Sequence, residues 1–252
     1  MPLKGSGVGN GFAVVDRWDG GLSWMAHPDE EFERTGHALV VEPGGVDGED
    51  GTRGGTAAHG EGGDVVWLVD PVDADGLDAA VGELGPVAGV VVLTDNHRRH
   101  AARIAERHGV RVFVHDHLGD LAVDAPTTRF AGEPADTGLR TVPVVSRFWR
   151  EIALYDPRRG TLVVGDALTT MGSHTNPGER LAVMPHLRPT PPRDALGGLA
   201  VRRVLVGHGP GVFRDAATAL EEALDGARRG APRAILGNLP TLLENAYVTL
   251  RD

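Results

Sequence analysis

The stretch Val90-Val91-Val92-Leu93-Thr94-Asp95-Asn96-His97-Arg98-Arg99-His100 decides the fold. Its first part closes a near-continuous apolar run, Val87 to Leu93, the pattern of a strand buried on both faces. Its second part sets three possible ligands, Asp95, His97 and His100, just ahead of a helical pattern, Ala101 to His108, that stops at Gly109. In open α/β sheets ligands collect where strands end, so the position of these residues counts as much as their identity. Two later segments repeat the arrangement. Gly165-Asp166-Ala167-Leu168 follows the apolar strand Thr161 to Val164, and Gly207-His208-Gly209 follows the apolar run Val201 to Val206. Three strand ends can therefore deliver Asp95, His97, His100, Asp166 and His208 to one edge.

Upstream, Val65 to Val69 is an apolar strand ending in Asp70-Pro71, and Asp75 to Leu84 reads as a helix with acidic residues at its entry. With Val110 to Val114 beyond the second helix, the succession strand, helix, strand, helix, strand implies parallel pairing through crossovers. Short strands at 12–15, 22–26 and 37–41 form an opening antiparallel meander. Between them and Val65, Glu42 to Asp64 is dominated by Gly, Asp, Glu and Thr, and reads as a flexible surface insertion that buries nothing. In the second half, Leu139 to Val145, Glu151 to Tyr155, Thr161 to Val164 and Val201 to Val206 are strands, and Ala216 to Ala227 is an amphipathic helix. Two sheets packed face to face with helices outside, an αββα sandwich in one 252-residue α/β (α+β) domain, accommodates this order.

Order and spacing resemble the metallo-β-lactamase superfamily, whose signature is T-H-x-H-x-D-H, a P-G-H turn, G-D, and a late G-H. The resemblance spans most of the chain. It implies the four-layer sandwich, a metal-binding role for His97, His100, Asp166 and His208, and hydrolysis as the activity. The chain departs from the signature at three places. Asp95 stands where the first His belongs, Arg99 where the metal-binding Asp belongs, and Pro143-Val144-Val145 where the P-G-H turn belongs.

The remaining donors, with Asp95 as a substitute ligand, suit a single divalent ion: zinc first, with iron or manganese also compatible with mixed N and O ligands. A helix start keeps a histidine neutral and able to coordinate, although Asp95 is equally suited to capping that helix. A permanent cation at Arg99 repels a second metal by several kcal/mol at an effective dielectric of about 20. Arg99 then either turns to solvent or clamps an anionic group of a substrate, while Asp95 or Asp166 orients a water. His174 and His186 are candidates to replace the missing central His. His115-Asp116-His117 looks like a ligand motif but follows a strand where polar residues without a catalytic role are common.

Composition narrows the classes. The formal charge is −10 and Lys4 is the only lysine, so the chain repels polyanions, and its Arg pairs are too scattered for a nucleic-acid surface. Acidity with one lysine suits a high-salt cytoplasm, and a GC-rich coding bias accounts for it equally well. No cysteine is present, which excludes thiolate ligands and disulfides. No run approaches the roughly 18 apolar residues of a membrane span, and the N-terminus lacks a signal-like segment, so a cytoplasmic location is expected. Two functional readings follow: a mononuclear metal-dependent hydrolase acting on a small ester, thioester, lactone or phosphoester, or a metal-free binding module in which Asp95 and Arg99 form an ion pair in the vacated pocket.

Overall fold

The computed structural model describes residues 7–9, 11–42, 63–146 and 149–237, so nearly all of the Gly- and acid-rich stretch lies outside the described residues. One sheet contains β1 (Ala13–Trp18), β2 (Gly21–Met25), β3 (Thr35–Val41), β4 (Val65–Val69), β5 (Val87–Val92), β6 (Val112–His115) and β7 (Thr127–Phe130), side by side in chain order. The first four strands are an antiparallel meander. From β4 onward the pairing is parallel, because α1 (Leu77–Gly82) and α2 (Ala101–His108) each carry the chain back to the end where the previous strand began. The second sheet contains β8 (Arg140–Ser146), β9 (Trp149–Asp156) and β10 (Thr161–Val164), and is joined after the small ribbon of β11 (Leu168–Thr169) and β12 (Ala182–Val183) and the short α3 (Arg193–Leu196) by β13 (Arg203–Val206). Its order is β13-β10-β9-β8, and α4 (Ala216–Gly237) follows.

Side-chain alternation sorts these strands into four layers. Trp67, Val69, Val91, Leu93 and Phe113 of the first sheet meet Ile152, Leu154, Val163 and Leu205 of the second in one apolar cluster. The opposite faces of the same strands, Val66, Leu68, Val90 and Val92, lie under Leu77 and Val81 of α1 and Ile104 of α2. On the far side, Tyr155, Leu162, Val164, Val204 and Val206 lie under Leu220 and Leu224 of α4. Each fully buried aliphatic side chain contributes about 1.5–3 kcal/mol. The architecture is the αββα sandwich.

Two elements depart from the sequence reading. β7, Thr127-Thr128-Arg129-Phe130, is an edge strand whose residues carry no apolar alternation, held to β6 by backbone pairing and by Phe130 edge-on to Phe113 and His115. α4 continues ten residues past Ala227 and through Pro232, with Ala231 and Ala234 still buried. Among the described residues, no helix is long and apolar enough to cross a membrane.

Candidate metal centre

The two sheets are stitched together where the three strand ends meet. The Ile152 N–H of β9 donates to the Leu93 carbonyl beyond β5 (2.9 Å), and the Thr35 N–H of β3 donates to the Gly207 carbonyl beyond β13 (3.0 Å). Main-chain bridges between Thr94 and Glu151 and between Arg34 and His208 flank these bonds. Gly207 permits the close approach, since a Cβ there would lie 2.5 Å from His97 Cε1 and 2.6 Å from the Gly165 carbonyl oxygen.

At this junction His97, Asp166 and His208 form a compact triangle, the one group of three metal-ligand side chains of this kind among the described residues. Asp166 Oδ1 is 3.0 Å from each of the two Nε2 atoms, and those are 3.2 Å from each other. The outer ring nitrogens determine what these atoms present to one another. His208 Nδ1 lies 2.6 Å from the Phe32 carbonyl oxygen, which can only accept, so the ring proton is on Nδ1 and Nε2 carries a lone pair. His97 Nδ1 lies 2.7 Å from Asp70 Oδ2, a carboxylate whose other oxygen accepts the Leu93 N–H, and the same reasoning holds. With both rings neutral, Asp166 Oδ1 has no donor and three lone pairs face one another in a buried site, an arrangement that either a proton on an Nε2 or a metal ion relieves. Zinc at about 2.0–2.1 Å from tetrahedral N and O ligands would set those ligands about 3.3 Å apart, close to the observed spacing. The donor set fits such an ion, and an outer carboxylate or carbonyl on each ring is how metal-bound histidines are held.

The electrostatics agree. Burial and Arg99 oppose a charge on His97, yet the carboxylates of Asp166 and Asp70 outweigh them and push it up to about 9, so without a metal the ring takes up a proton. Burial likewise opposes ionisation of Asp166, and the two imidazoles nevertheless hold its carboxyl well below the usual range.

The carbonyl that orients His208 belongs to a loop fixed from within. Arg34 Nε and Nη2 grip Glu30 Oε1 and Oε2 at 2.7 and 2.8 Å, with both side chains almost wholly buried. Glu30→Gln leaves a buried guanidinium against a neutral amide. A loss of about 3 kcal/mol in chemical denaturation is expected, and an unchanged midpoint would show that the pair does not fix the loop.

Arg99 turns inward rather than to solvent and commits both terminal nitrogens to the fold, leaving only its buried Nε without a partner. Its Nη1 donates to the Thr35 and Asp70 carbonyls (2.7 and 3.0 Å) and its Nη2 to the Gly207 carbonyl (2.9 Å), and Nη2 also lies 3.1 Å from His97 Nε2. The guanidinium is thus a resident cation at the edge of the triangle. It reaches there because Arg99 has a left-handed backbone, φ 40°, which interrupts the chain between the 3-10 turn Asp95–His97 and α2. The same break separates His97 from His100, so the two do not share a helical face. His100 Nδ1 instead accepts the Asp73 N–H at 2.9 Å, outside the triangle. Asp95 is exposed, within reach of the Thr94 hydroxyl at 3.2 Å, and Arg99 makes its contacts with carbonyls rather than with Asp95.

Where the signature has a P-G-H turn, β8 runs on in register with β9, pairing Val144 with Glu151 and Val145 with Arg150. Pro143 is exposed on this edge strand, where a missing N–H costs nothing. His174 is buried near Asp166 and His208, where burial and the neighbouring His208 and His186 push it down to about 4. The His186 ring packs at 4.9 Å against Trp149, and neither His174 nor His186 belongs to the triangle. His115 donates to or accepts at local backbone groups, the Ala131 carbonyl and the His117 N–H, and is structural. The contributions of Asp70, the Phe32 carbonyl and Glu151 were not anticipated from sequence. Asp70, an acid ending an apolar strand at the same sheet edge, and Glu151, an acid inside an apolar strand, carry usable signals; the carbonyl carries none.

No family model matches the sequence, and no curated protein matches it. Solved structures do. A structure of TMB-1 is 13% identical over 89% of this chain and 98% of its own, with a TM-score of 0.57. The metallo-β-lactamase FIM-1 from Pseudomonas aeruginosa, in a mono-zinc form, is 13% identical over 89% of this chain and 98% of its own, with a TM-score of 0.55. A metallo-β-lactamase from Pontibacter korlensis is 14% identical over 86% and 99%, with a TM-score of 0.55. With the sandwich, the strand-end triangle and these likenesses in agreement, the chain has the metallo-β-lactamase fold.

Proposed function

We propose that the protein is a metal-dependent hydrolase with a single divalent ion, zinc first, held by His97, Asp166 and His208, and that it acts on a small ester, thioester, lactone or phosphoester. The observation that carries this reading is the convergence of three metal-ligand atoms at 3.0–3.2 Å, with each ring held from behind by an acceptor at Nδ1. Bound zinc supplies Lewis acidity and a water acidic enough to ionise near neutral pH. The chain's own residues hold the site in readiness. Asp70 and the Phe32 carbonyl fix the ring tautomers, Asp166 stays ionised, and Arg99 balances part of the negative charge of Asp70 and Asp166. Tag-free protein is expected to retain about one zinc, iron or manganese per chain. Hydrolysis of at least one of the four substrate classes should then be lost on chelation and return with the metal. Protein that takes up no metal from excess zinc, iron or manganese would exclude this function.

One observation favours a second reading, a metal-free binding module: Arg99 Nη2 already reaches His97 Nε2, the lone pair a metal would use. The pH dependence separates the two. His97 must lose its proton to coordinate, so zinc affinity should rise roughly tenfold per pH unit from about 6.5 toward about 9 and level off above. The sign for stability is opposite. A raised histidine stabilises the metal-free fold fully below pH 6.5, and that contribution disappears as pH climbs through about 9. A zinc affinity flat across that range would mean that His97 is not a ligand.

A further inference from the structure

Glu151 is wholly buried, yet its carboxylate is held by four donors. Oε1 accepts the Gly165 N–H at 2.8 Å, and Oε2 accepts the Asp166 and Ala167 N–H groups and the Trp149 indole N–H, each at 2.9 Å. Three consecutive main-chain N–H groups around one anion form a nest, and hydrogen bonds to an ionised acceptor are about twice as strong as neutral ones. The fit is close. A Cβ on Gly165 would lie 3.3 Å from Glu151 Cδ and 3.3 Å from Thr94 Cγ2. The turn so gripped is the one that presents Asp166, whose Oδ1 stands equidistant from two imidazoles.

A turn alone does not call for this. Water or a neutral hydroxyl would satisfy its N–H groups without bringing a second carboxylate into a buried site that already holds Asp166. Two buried carboxyl groups, one bonded to the main-chain N–H of the other, are costly to keep together. That cost is offset where the turn must hold Asp166 in one conformation between the two imidazoles.

We propose that Glu151 is the positioning residue of the site, fixing the Gly165-Asp166-Ala167 turn so that Asp166 Oδ1 is held between His97 Nε2 and His208 Nε2. The inference rests on the metal reading only in taking Asp166 as a ligand.

Glu151→Gln removes the charge and turns an amide N–H₂ toward backbone donors. In the metal-free protein the ring ¹⁵N shifts of His97 and His208, which sense Asp166 directly, should move while those of His115 stay in place. Zinc affinity, measured by competition with a chromophoric chelator well below the melting temperature, should fall 10- to 100-fold. Glu151→Asp keeps the charge but withdraws it by one methylene, and should show the same changes if the Gln variant does not fold. Unmoved His97 and His208 shifts in a folded variant would overturn the proposal, as would zinc affinity within twofold of the unaltered chain. If the unaltered chain binds no zinc, the metal reading fails by itself, and the ring shifts alone decide the role of Glu151.

Discussion

Arg99→Asp is expected to make the fold depend on a divalent cation. In chelator the variant should be less stable than the unaltered chain by about 3 kcal/mol or more, and zinc should restore most of the loss. The guanidinium now donates to three buried carbonyls, those of Thr35, Asp70 and Gly207; the last keeps the Thr35 N–H, and each of the others left without a donor costs about 1–3 kcal/mol. A carboxylate at this position adds like charge beside Asp70 and Asp166, the two groups whose attraction for Arg99 offsets part of its burial. Only a cation relieves both problems, so the metal content per chain should also rise. The backbone itself should tolerate the change, since φ is 40° at residue 99 and aspartate enters the left-handed region more readily than most residues. Arg99→Ala is the control: it strands the same carbonyls, supplies no oxygen ligand, and should respond to zinc no more than the unaltered chain. Thermal melts in chelator and in zinc, with elemental analysis of all three proteins, decide it. Equal stoichiometry and equal zinc response in the Asp and Ala variants would show that the guanidinium does not stand where a cation is needed.

How much of this was legible in the sequence depends on what each residue signals. Val65 to Val69 and Val87 to Leu93 announce buried strands because both of their faces are covered, one by α1 and α2 and the other by the second sheet. The strand-end positions of His97, Asp166 and His208 followed from those strands and from Gly207, so their convergence could be anticipated. Asp95 and His100 have the same residue types and the same neighbourhood. What separates His100 from His97 is a single left-handed residue, Arg99, and nothing in an arginine marks it for that conformation, while Asp95 shares the 3-10 turn of His97 but is exposed. The partners of Arg99 are carbonyls from positions 35, 70 and 207, and the acceptor for His208 is the carbonyl of Phe32. A main-chain carbonyl leaves no trace in a sequence, whatever side chain it accompanies. Glu151 is a different case. An acid two residues into a strand that continues Ile152-Ala153-Leu154-Tyr155 is out of place in an apolar pattern, and asking where its charge could be satisfied would have led toward the Asp166 turn.

Asp70→Asn should separate metal binding from folding. Asp70 Oδ2 accepts the Nδ1 proton of His97, while Oδ1 accepts the Leu93 N–H. Asparagine has the same shape, and its carbonyl can keep the bond to Leu93, which turns its N–H₂ toward His97. A donor there makes Nδ1 an acceptor and moves the ring proton to Nε2, which then points at Asp166 Oδ1 only 3.0 Å away. The variant therefore exchanges a site that needs an added proton or a metal for one whose neutral ring and carboxylate satisfy each other. The left-handed backbone at this position, φ 44°, suits asparagine at least as well as aspartate. Zinc affinity is expected to fall about 100-fold, at the upper end for loss of a group that orients a metal-bound histidine, while the melting temperature in chelator falls below about pH 9, where Asp70 helps keep His97 protonated, and stays level above it. Any hydrolysis that depends on the metal should fall with the affinity and recover only at high zinc. Competition titration with a chelator and a melt without metal are sufficient to read both. Zinc bound as tightly as by the unaltered chain would mean that the Asp70 carboxylate does not set the tautomer of His97. A collapse of the metal-free fold above about pH 9 would mean that its contribution is to packing and charge, and that the three lone pairs are not what governs the site.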